Sequence, residues 1–389
     1  MVKKKFSPII IFLHFFKLGC TSFGGAAMVF NIRRLAVEQM KLLDGAAFEK
    51  GIAFCQIIPG ATAMQTAAYC GLKARGQAGA FAAYLGFGLP AFIIMCTLSW
   101  AYGHVAFPMD FFDGVRIAVI AIIFHAAFSL GKNSVSKVED IALIVVGLDL
   151  FIFKVHPLFS LVIAAAYGLV FSFQKADQVS AALAGEEGIS VRWKSLGILS
   201  LLAFTGLLVL LHFNPRAFDL AFAMVRVSVL SFGGGFATIP LLYQEIEEHL
   251  GLMPLYDFAN GIALGQMTPG PLSIIAAFVG YVTQGLSGAV IATIYIFLPS
   301  YLMVIGFAGP YARLSRNRKV SRILNAVYLS FVGLIAGSGV GLIAQNPLDW
   351  KQAILCAGLF GALYLKVPPF VAVLMGIGAW KMVMLLHGI

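Results

Sequence analysis

A short motif occurs twice in this chain, and the two copies carry their surroundings with them. Ser22-Phe23-Gly24-Gly25 returns 209 residues later as Ser231-Phe232-Gly233-Gly234. Phe48, Gly51, Ile52, Ala53, Gln56, Pro59 and Gly60 return at an offset of 210 as Phe258, Gly261, Ile262, Ala263, Gln266, Pro269 and Gly270. Gly76, Gly79 and Pro90 return at 209 as Gly285, Gly288 and Pro299. Preserved order with small gaps marks a duplicated half. Glutamine, proline and phenylalanine all take part, so biased composition does not explain the match.

Both copies are embedded in apolar sequence. Of 389 residues 60% are hydrophobic and 11% charged, where a soluble chain carries about 25% charged residues. A mean hydropathy of +0.92 excludes a soluble enzyme, a disordered chain and a nucleic-acid-binding domain, despite a net charge of +10. The fold class that remains is an all-α polytopic membrane protein. The basic excess fits cytoplasmic loops rather than an acidic partner. Cys20, Cys55, Cys70, Cys96 and Cys356 lie in apolar segments with no metal-ligand spacing, so they read as packing residues, with no metal and no cofactor expected. Lys3, Lys4 and Lys5 before an apolar run ending at Cys20 imitate a signal peptide. Lys17 interrupts that run and the pattern returns in mid-chain, so it reads as a retained first span.

Loop charge sets the orientation. His104–Asp113 carries Asp110 and Asp113 and no lysine or arginine, whereas its counterpart, Tyr311–Arg322, carries Arg313, Arg316, Arg318, Lys319 and Arg322. Positive loops stay cytoplasmic, so the halves are inverted relative to each other. Apolar runs predict spans at 8–30, 47–72, 78–101, 114–131, 140–154 and 157–173. An unmatched span follows at 196–213, then six more at 218–242, 255–283, 287–309, 321–344, 351–365 and 367–386. That gives about thirteen transmembrane helices, as a first repeat at 1–173, a linker with one connecting helix at 174–217, and a second repeat at 218–389. The N-terminus falls in the cytoplasm. One loop dissents: 31–50 carries Arg33, Arg34 and Lys41 yet is placed outside.

Each half is interrupted twice within apolar surroundings, at the Ser-Phe-Gly-Gly turn and at Pro59-Gly60 or Pro269-Gly270. Such breaks free backbone groups that lipid cannot satisfy, so they survive only when buried in protein or lining a cavity. Matched breaks in inverted halves point to a transporter binding site near the midplane. A new helix start presents unpaired N–H groups and about half a positive charge, and glycine lets a ligand approach that backbone. Ser22, Gly24, Gly25, Gln56, Pro59, Gly60, Thr62 and Gln65 form one candidate set. Ser231, Gly233, Gly234, Thr238, Gln266, Thr268, Pro269, Gly270 and Ser273 form the other. Hydroxyls and amides there can donate to a small anion with several oxygens. Lys17 and Arg226 each precede the motif serine by five residues. A base at the bilayer centre costs about 2.5–3.5 kcal/mol, so the pair reads either as anion attraction or as bases snorkelling or internally paired near helix ends. Asp149 and Glu245 are the coupling candidates. His14, His125 and Arg116 read as packing or boundary residues.

These motifs resemble the chromate ion transporter family in its long-chain, two-domain form. The resemblance is carried by S-F-G-G-x-A with Q-x-x-P-G-x-T in the first half, and by S-F-G-G-G-F-A-T-I-P-L-L with G-I-A-L-G-Q-M-T-P-G-P in the second. Gly86–Pro90 and Ile296–Ser300 fit as well, and the match covers the whole chain. Ala26 and Ala61 stand where that family usually shows proline, which sets the first half slightly apart. The resemblance implies an inner-membrane protein that exports chromate and confers resistance to it, with sulfate as natural competitor and the proton-motive force as energy source. Expected partners are the oxyanion, membrane lipid and a second copy in a homodimer. An importer or exchanger for sulfate or another oxyanion is the alternative. A membrane-embedded enzyme is a remote one, because neither acidic metal clusters nor an H-E-x-x-H helix is present.

Overall fold

The computed structural model describes residues 6–386, apart from 24, 105–108, 136, 154, 156, 171–192, 233–234, 236–237 and 310–317. The described residues form fifteen α-helices and no strand. The first repeat runs α1 Pro8–Thr21, α2 Gly25–Arg33 with a π-helical extension Arg34–Gln39, α3 Gly45–Ile57, α4 Thr62–His104, α5 Met109–Ser134, α6 Val138–Ile152 and α7 Pro157–Val170. Helix α8, Trp193–Phe213, connects to the second. There follow α9 Pro215–Leu230, α10 Thr238–Tyr243 with its π-helical extension Gln244–His249, and α11 Leu255–Met267. The chain ends with α12 Ile275–Phe307, α13 Arg318–Gln345, α14 Trp350–Tyr364 and α15 Pro369–Leu386. Both π-helical turns sit at equivalent positions, as the duplication requires.

Five stretches are long and apolar enough to cross a membrane: Thr62–His104, Asp113–Lys132, Trp193–Phe213, Leu272–Phe307 and Asn325–Ala344. Helix α8 has no buried residue, as expected of a helix clad in lipid. The runs at 8–30 and 47–72 are different. A 13-residue helix is about 20 Å long, short of an apolar layer about 30 Å thick. At the breaks the chain turns back instead of continuing.

The evidence is in side-chain contacts between arms of one hairpin. Gly51 of α3 lies against Tyr69 of α4, so close that a Cβ on Gly51 would stand 2.2 Å from the tyrosine ring. Gly261 of α11 meets Phe278 of α12 in the same way, at 2.5 Å. Colinear helices would hold these residues more than 20 Å apart. Around the other break, Arg226 of α9 reaches Glu245 beyond α10 at 2.7 Å, and Asn31 of α2 reaches Ser22 at 3.5 Å. Each repeat therefore opens with two short helical hairpins whose tips are the Ser-Phe-Gly-Gly and Pro-Gly turns. The apolar runs alone fit either single broken spans or re-entrant hairpins at the Pro-Gly elements; the chain forms hairpins, with the breaks where the sequence places them.

A third reversal separates the second hairpin from a long arm. Arg75 and Gly76 leave helical geometry (Gly76 φ +67°, ψ −152°), as do Gln284 and Gly285 (φ +65°, ψ −156°). The short arm of α4 then folds onto its long arm, 77–104, with Gly71 against Gly79; Gly280 meets Gly288 likewise in α12. The long arms of α4 and α12 pack antiparallel. Tyr301 donates to the Gln77 carbonyl at 3.5 Å, and Tyr84 donates to the Phe297 carbonyl at 2.7 Å. Equivalent arms running antiparallel are the direct expression of inverted repeats. The remaining helices are exchanged between repeats: Gly147 of α6 touches Ser330 of α13, and Gly114 of α5 touches Ile377 of α15. These small residues let backbones approach closely, the usual basis of helix association in lipid.

Candidate functional site

The hairpin tips of the two repeats meet. Gly60 donates its backbone N–H to the Ser231 carbonyl at 2.8 Å, and Gly270 donates to the Ser22 carbonyl at the same distance. Each Pro-Gly tip is thus bridged to the Ser-Phe-Gly-Gly tip of the other repeat. The two glycines have φ of +118° and +112°, left-handed values that Cβ-bearing residues resist. Space forbids a side chain as well. A Cβ on Gly60 would lie 2.4 Å from the Ser300 Cβ, and one on Gly270 would lie 2.7 Å from the Ala91 Cβ. Ser300 and Ala91 are themselves equivalent positions, so the second repeat adds a hydroxyl where the first has a methyl.

Four helices end at these tips (α1, α3, α9, α11) and four short arms begin there (α2, α4, α10, α12). First-turn N–H groups and last-turn carbonyls therefore converge together. Two tip amides are spent on the bridges, and the donors left for a ligand are first-turn N–H groups and side chains.

The side chains form two polar clusters beside the bridges. In the second repeat, Ser231 Oγ lies 2.9 Å from Thr238 Oγ1, which lies 3.1 Å from Ser273 Oγ. All three are buried, and so is Thr268, whose hydroxyl donates to the Leu264 carbonyl. In the first repeat, Gln65 is fully buried and donates to the Pro59 carbonyl at 2.6 Å, holding the Pro-Gly turn from within. Ser300 Oγ stands 2.9 Å from Tyr84 Oη. Among the described residues, Gln65 Oε1 and Gln266 Nε2 are buried with no hydrogen-bond partner, which is costly unless something polar visits them.

The sequence candidates divide accordingly. Ser22, Pro59, Gly60, Gln65, Ser231, Gln266, Thr268, Pro269 and Gly270 come together at or beside the tips, and Thr62 opens the short arm of α4 half-buried. Gly25 begins α2 at the tip. Gly24, Gly233 and Gly234 lie outside the described residues. Gln56 is exposed, unlike its half-buried counterpart Gln266. Lys17 is exposed on α1, five residues before Ser22, and Asp149 is exposed on α6. Arg226 is 33% exposed and paired with Glu245, whose side chain is 5% exposed. Tyr84 and Ser300 belong to the site although only the Ile296–Ser300 run hinted at either. No group of three metal-ligating side chains occurs among the described residues.

Comparison with known proteins follows the same two-part division. The family model described as chromate transporter matches residues 9–169 and again 218–381. The chain is 33% identical over 377 residues to an uncharacterized transporter of Methanocaldococcus jannaschii, covering 95% of this chain and 93% of that one. It is 29% identical over 365 residues to a chromate transport protein of Pseudomonas aeruginosa (90% and 85% covered), and 28% over 350 residues to a probable chromate transport protein of Synechococcus elongatus (86% and 84% covered). No solved structure matches it.

Proposed function

The chain belongs to the chromate transporter family, and from that premise we propose that this multi-pass membrane protein exports chromate, a tetrahedral divalent oxyanion, from the cell. The observation that carries the proposal is the reciprocal bridge between hairpin tips, Gly60 to Ser231 and Gly270 to Ser22. It gathers four helix starts and a set of neutral donors at the junction of two inverted repeats, where secondary transporters hold their substrates. Neutral hydroxyls, amides and first-turn N–H groups at the tips can donate to the oxygens of such an anion. Sulfate has the same shape and charge and competes.

The site lies between the repeats, so access alternates as one repeat rocks against the other. Export is electrically downhill in a cell with a negative interior, by about 2.3 kcal/mol per charge per 100 mV. The proton-motive force supplies that potential. Loop charges favour a cytoplasmic N-terminus in an inner membrane. Because the hairpins return the chain to its side of entry, Arg33, Arg34 and Lys41 fall with Lys73 and Arg75, and with Lys132, Lys137, Lys319 and Lys366, on one basic face. The dissenting loop is thereby reconciled.

Vesicles containing the purified protein test this. Labelled chromate should move toward the positive side under an imposed potential, and unlabelled sulfate should reduce the flux. Movement only toward the negative side, coupled to another solute, would favour an importer or exchanger. Absence of chromate and sulfate flux under every imposed gradient would defeat the proposal.

A further inference from the structure

Arg226 and Glu245 form a charged pair that the duplication does not repeat. Arg226 corresponds to Lys17, but Glu245 corresponds to Leu35. Only the second repeat has both charges. The carboxylate is 5% exposed and 2.7 Å from the guanidinium Nη2, which belongs to the arm of the same hairpin that leads to Ser231. Along that helix Arg226 lies about 7.5 Å below the tip serine.

The pairing leaves much of the arginine unused. One guanidinium nitrogen holds one carboxylate oxygen, while Nε is buried and has no hydrogen-bond partner among the described residues. The guanidinium carbon sits 5.1 Å from the Phe222 ring centroid, which holds the side chain along its own helix. Arginine binds oxyanions best through two parallel N–H donors. The side chain is one-third exposed, in contrast to its buried partner, so a second anion can approach it. Ser228 Oγ and Gln244 Oε1, each two residues or fewer from a member of the pair, are also buried without a partner.

We propose that Glu245 is a tethered stand-in for the substrate: its carboxylate occupies Arg226 when the site is empty, and the incoming oxyanion displaces it. This rests on the transport reading above and deepens it. The internal carboxylate keeps the half-buried guanidinium neutralised between cycles, and the guanidinium in turn offsets the cost of burying Glu245. Competition makes the dianion easy to release, since Glu245 returns as it departs. Protonation of Glu245 removes the competitor, so oxyanion affinity rises as pH falls. The other charged groups facing Glu245 are few. His249 Nδ1 is 3.7 Å away on the same π-helical turn, Glu247 is two residues along it, and α9 contributes Arg226 itself. His249, when protonated, would draw Glu245 away from Arg226 and act in the same direction, so it must be tested separately.

The experiment is equilibrium binding of labelled sulfate, which stays a dianion throughout the pH range used, to the full-length protein in detergent. The wild type should bind more tightly at low pH than at high pH. Glu245→Gln should bind about tenfold more tightly at high pH and lose the pH dependence. Glu245→Asp, which keeps the charge, should retain that dependence, and so should His249→Gln. Arg226→Gln should lose most of the affinity. Wild-type binding with Glu245→Gln no tighter and equally pH-dependent would overturn the displacement and leave the transport reading intact. A pH dependence that vanishes in His249→Gln but persists in Glu245→Gln would assign it to the imidazole and also overturn it. A wild type that neither binds nor moves sulfate or chromate would defeat both proposals.

Discussion

Gly60 and Ser231 are joined backbone to backbone across the two repeats, and the joint requires that residue 60 have no side chain. Two costs fall together on Gly60→Ala. The left-handed backbone at +118° costs about 1–3 kcal/mol for a residue with a Cβ. The new methyl would also meet Ser300 at 2.4 Å. Gly270→Ala carries the same backbone cost and a contact of 2.7 Å with Ala91. Both variants should insert in the membrane and lose at least nine-tenths of chromate flux in vesicles. Wild-type flux in either would show that the bridge lies off the transport path.

The short arms lie close to the long ones, and that closeness is testable apart from transport. A Cβ on Gly280 would stand 2.2 Å from the Gly288 carbonyl oxygen, and one on Gly71 would stand 2.1 Å from the Gly79 carbonyl oxygen. Backbone atoms cannot swing aside as a flexible side chain does. Gly280→Leu and Gly71→Leu should each lower the thermal unfolding temperature in detergent, with overpacking costing about 1–3 kcal/mol. Unchanged melting would mean that the arms are not folded together.

Lys17 and Arg226 occupy equivalent sequence positions but differ in surroundings. Lys17 is exposed on α1, whereas Arg226 is paired with a buried carboxylate. Removing Arg226 leaves the buried Glu245 carboxylate without its cation, at a cost of about 1–3 kcal/mol. Arg226→Gln should therefore abolish flux and lower the melting temperature. Lys17→Gln should leave melting unchanged and reduce flux less than twofold. Equal effects on flux would restore a symmetric role for the two bases.

The duplicated motifs made much of this arrangement legible. Offsets of 209 and 210 located both broken elements in each half, and loop charge indicated inversion, which the antiparallel long arms express. Hydropathy could not tell whether the chain continues or reverses at a break. An apolar run of 25 residues reads alike either way, because hairpin arms packed inside the protein are as apolar as a helix in lipid. One warning was present: Arg33, Arg34 and Lys41 on the wrong face of a thirteen-span topology. Long-range pairings were also hidden. Nothing at Arg226 announces Glu245 as its partner, and nothing at Tyr84 announces Ser300, because each contact depends on how two hairpins or two repeats dock.

A second link between the repeats lies at the far end of the long arm of α4. Tyr102 donates to Asp257 Oδ1 at 2.6 Å and accepts from Asn260 Nδ2 at 3.0 Å, both on α11. The position equivalent to Asp257 is Ala47, so the acid exists at only one end of the molecule. A charge-assisted bond of this length is stronger than a neutral one, and it ties the long arm to the opposing hairpin. Tyr102→Phe removes both bonds and leaves Asp257 and Asn260 short of a partner, at a cost of about 1–3 kcal/mol. Its melting temperature should fall, and Asp257→Asn should lower it by less, since a neutral acceptor remains. If the repeats separate at this end during transport, Tyr102→Phe should also raise flux at saturating chromate while half-saturation stays within twofold of wild type. A stable variant with unchanged flux would show that the tie is decorative, and that the repeats rock about some other contact.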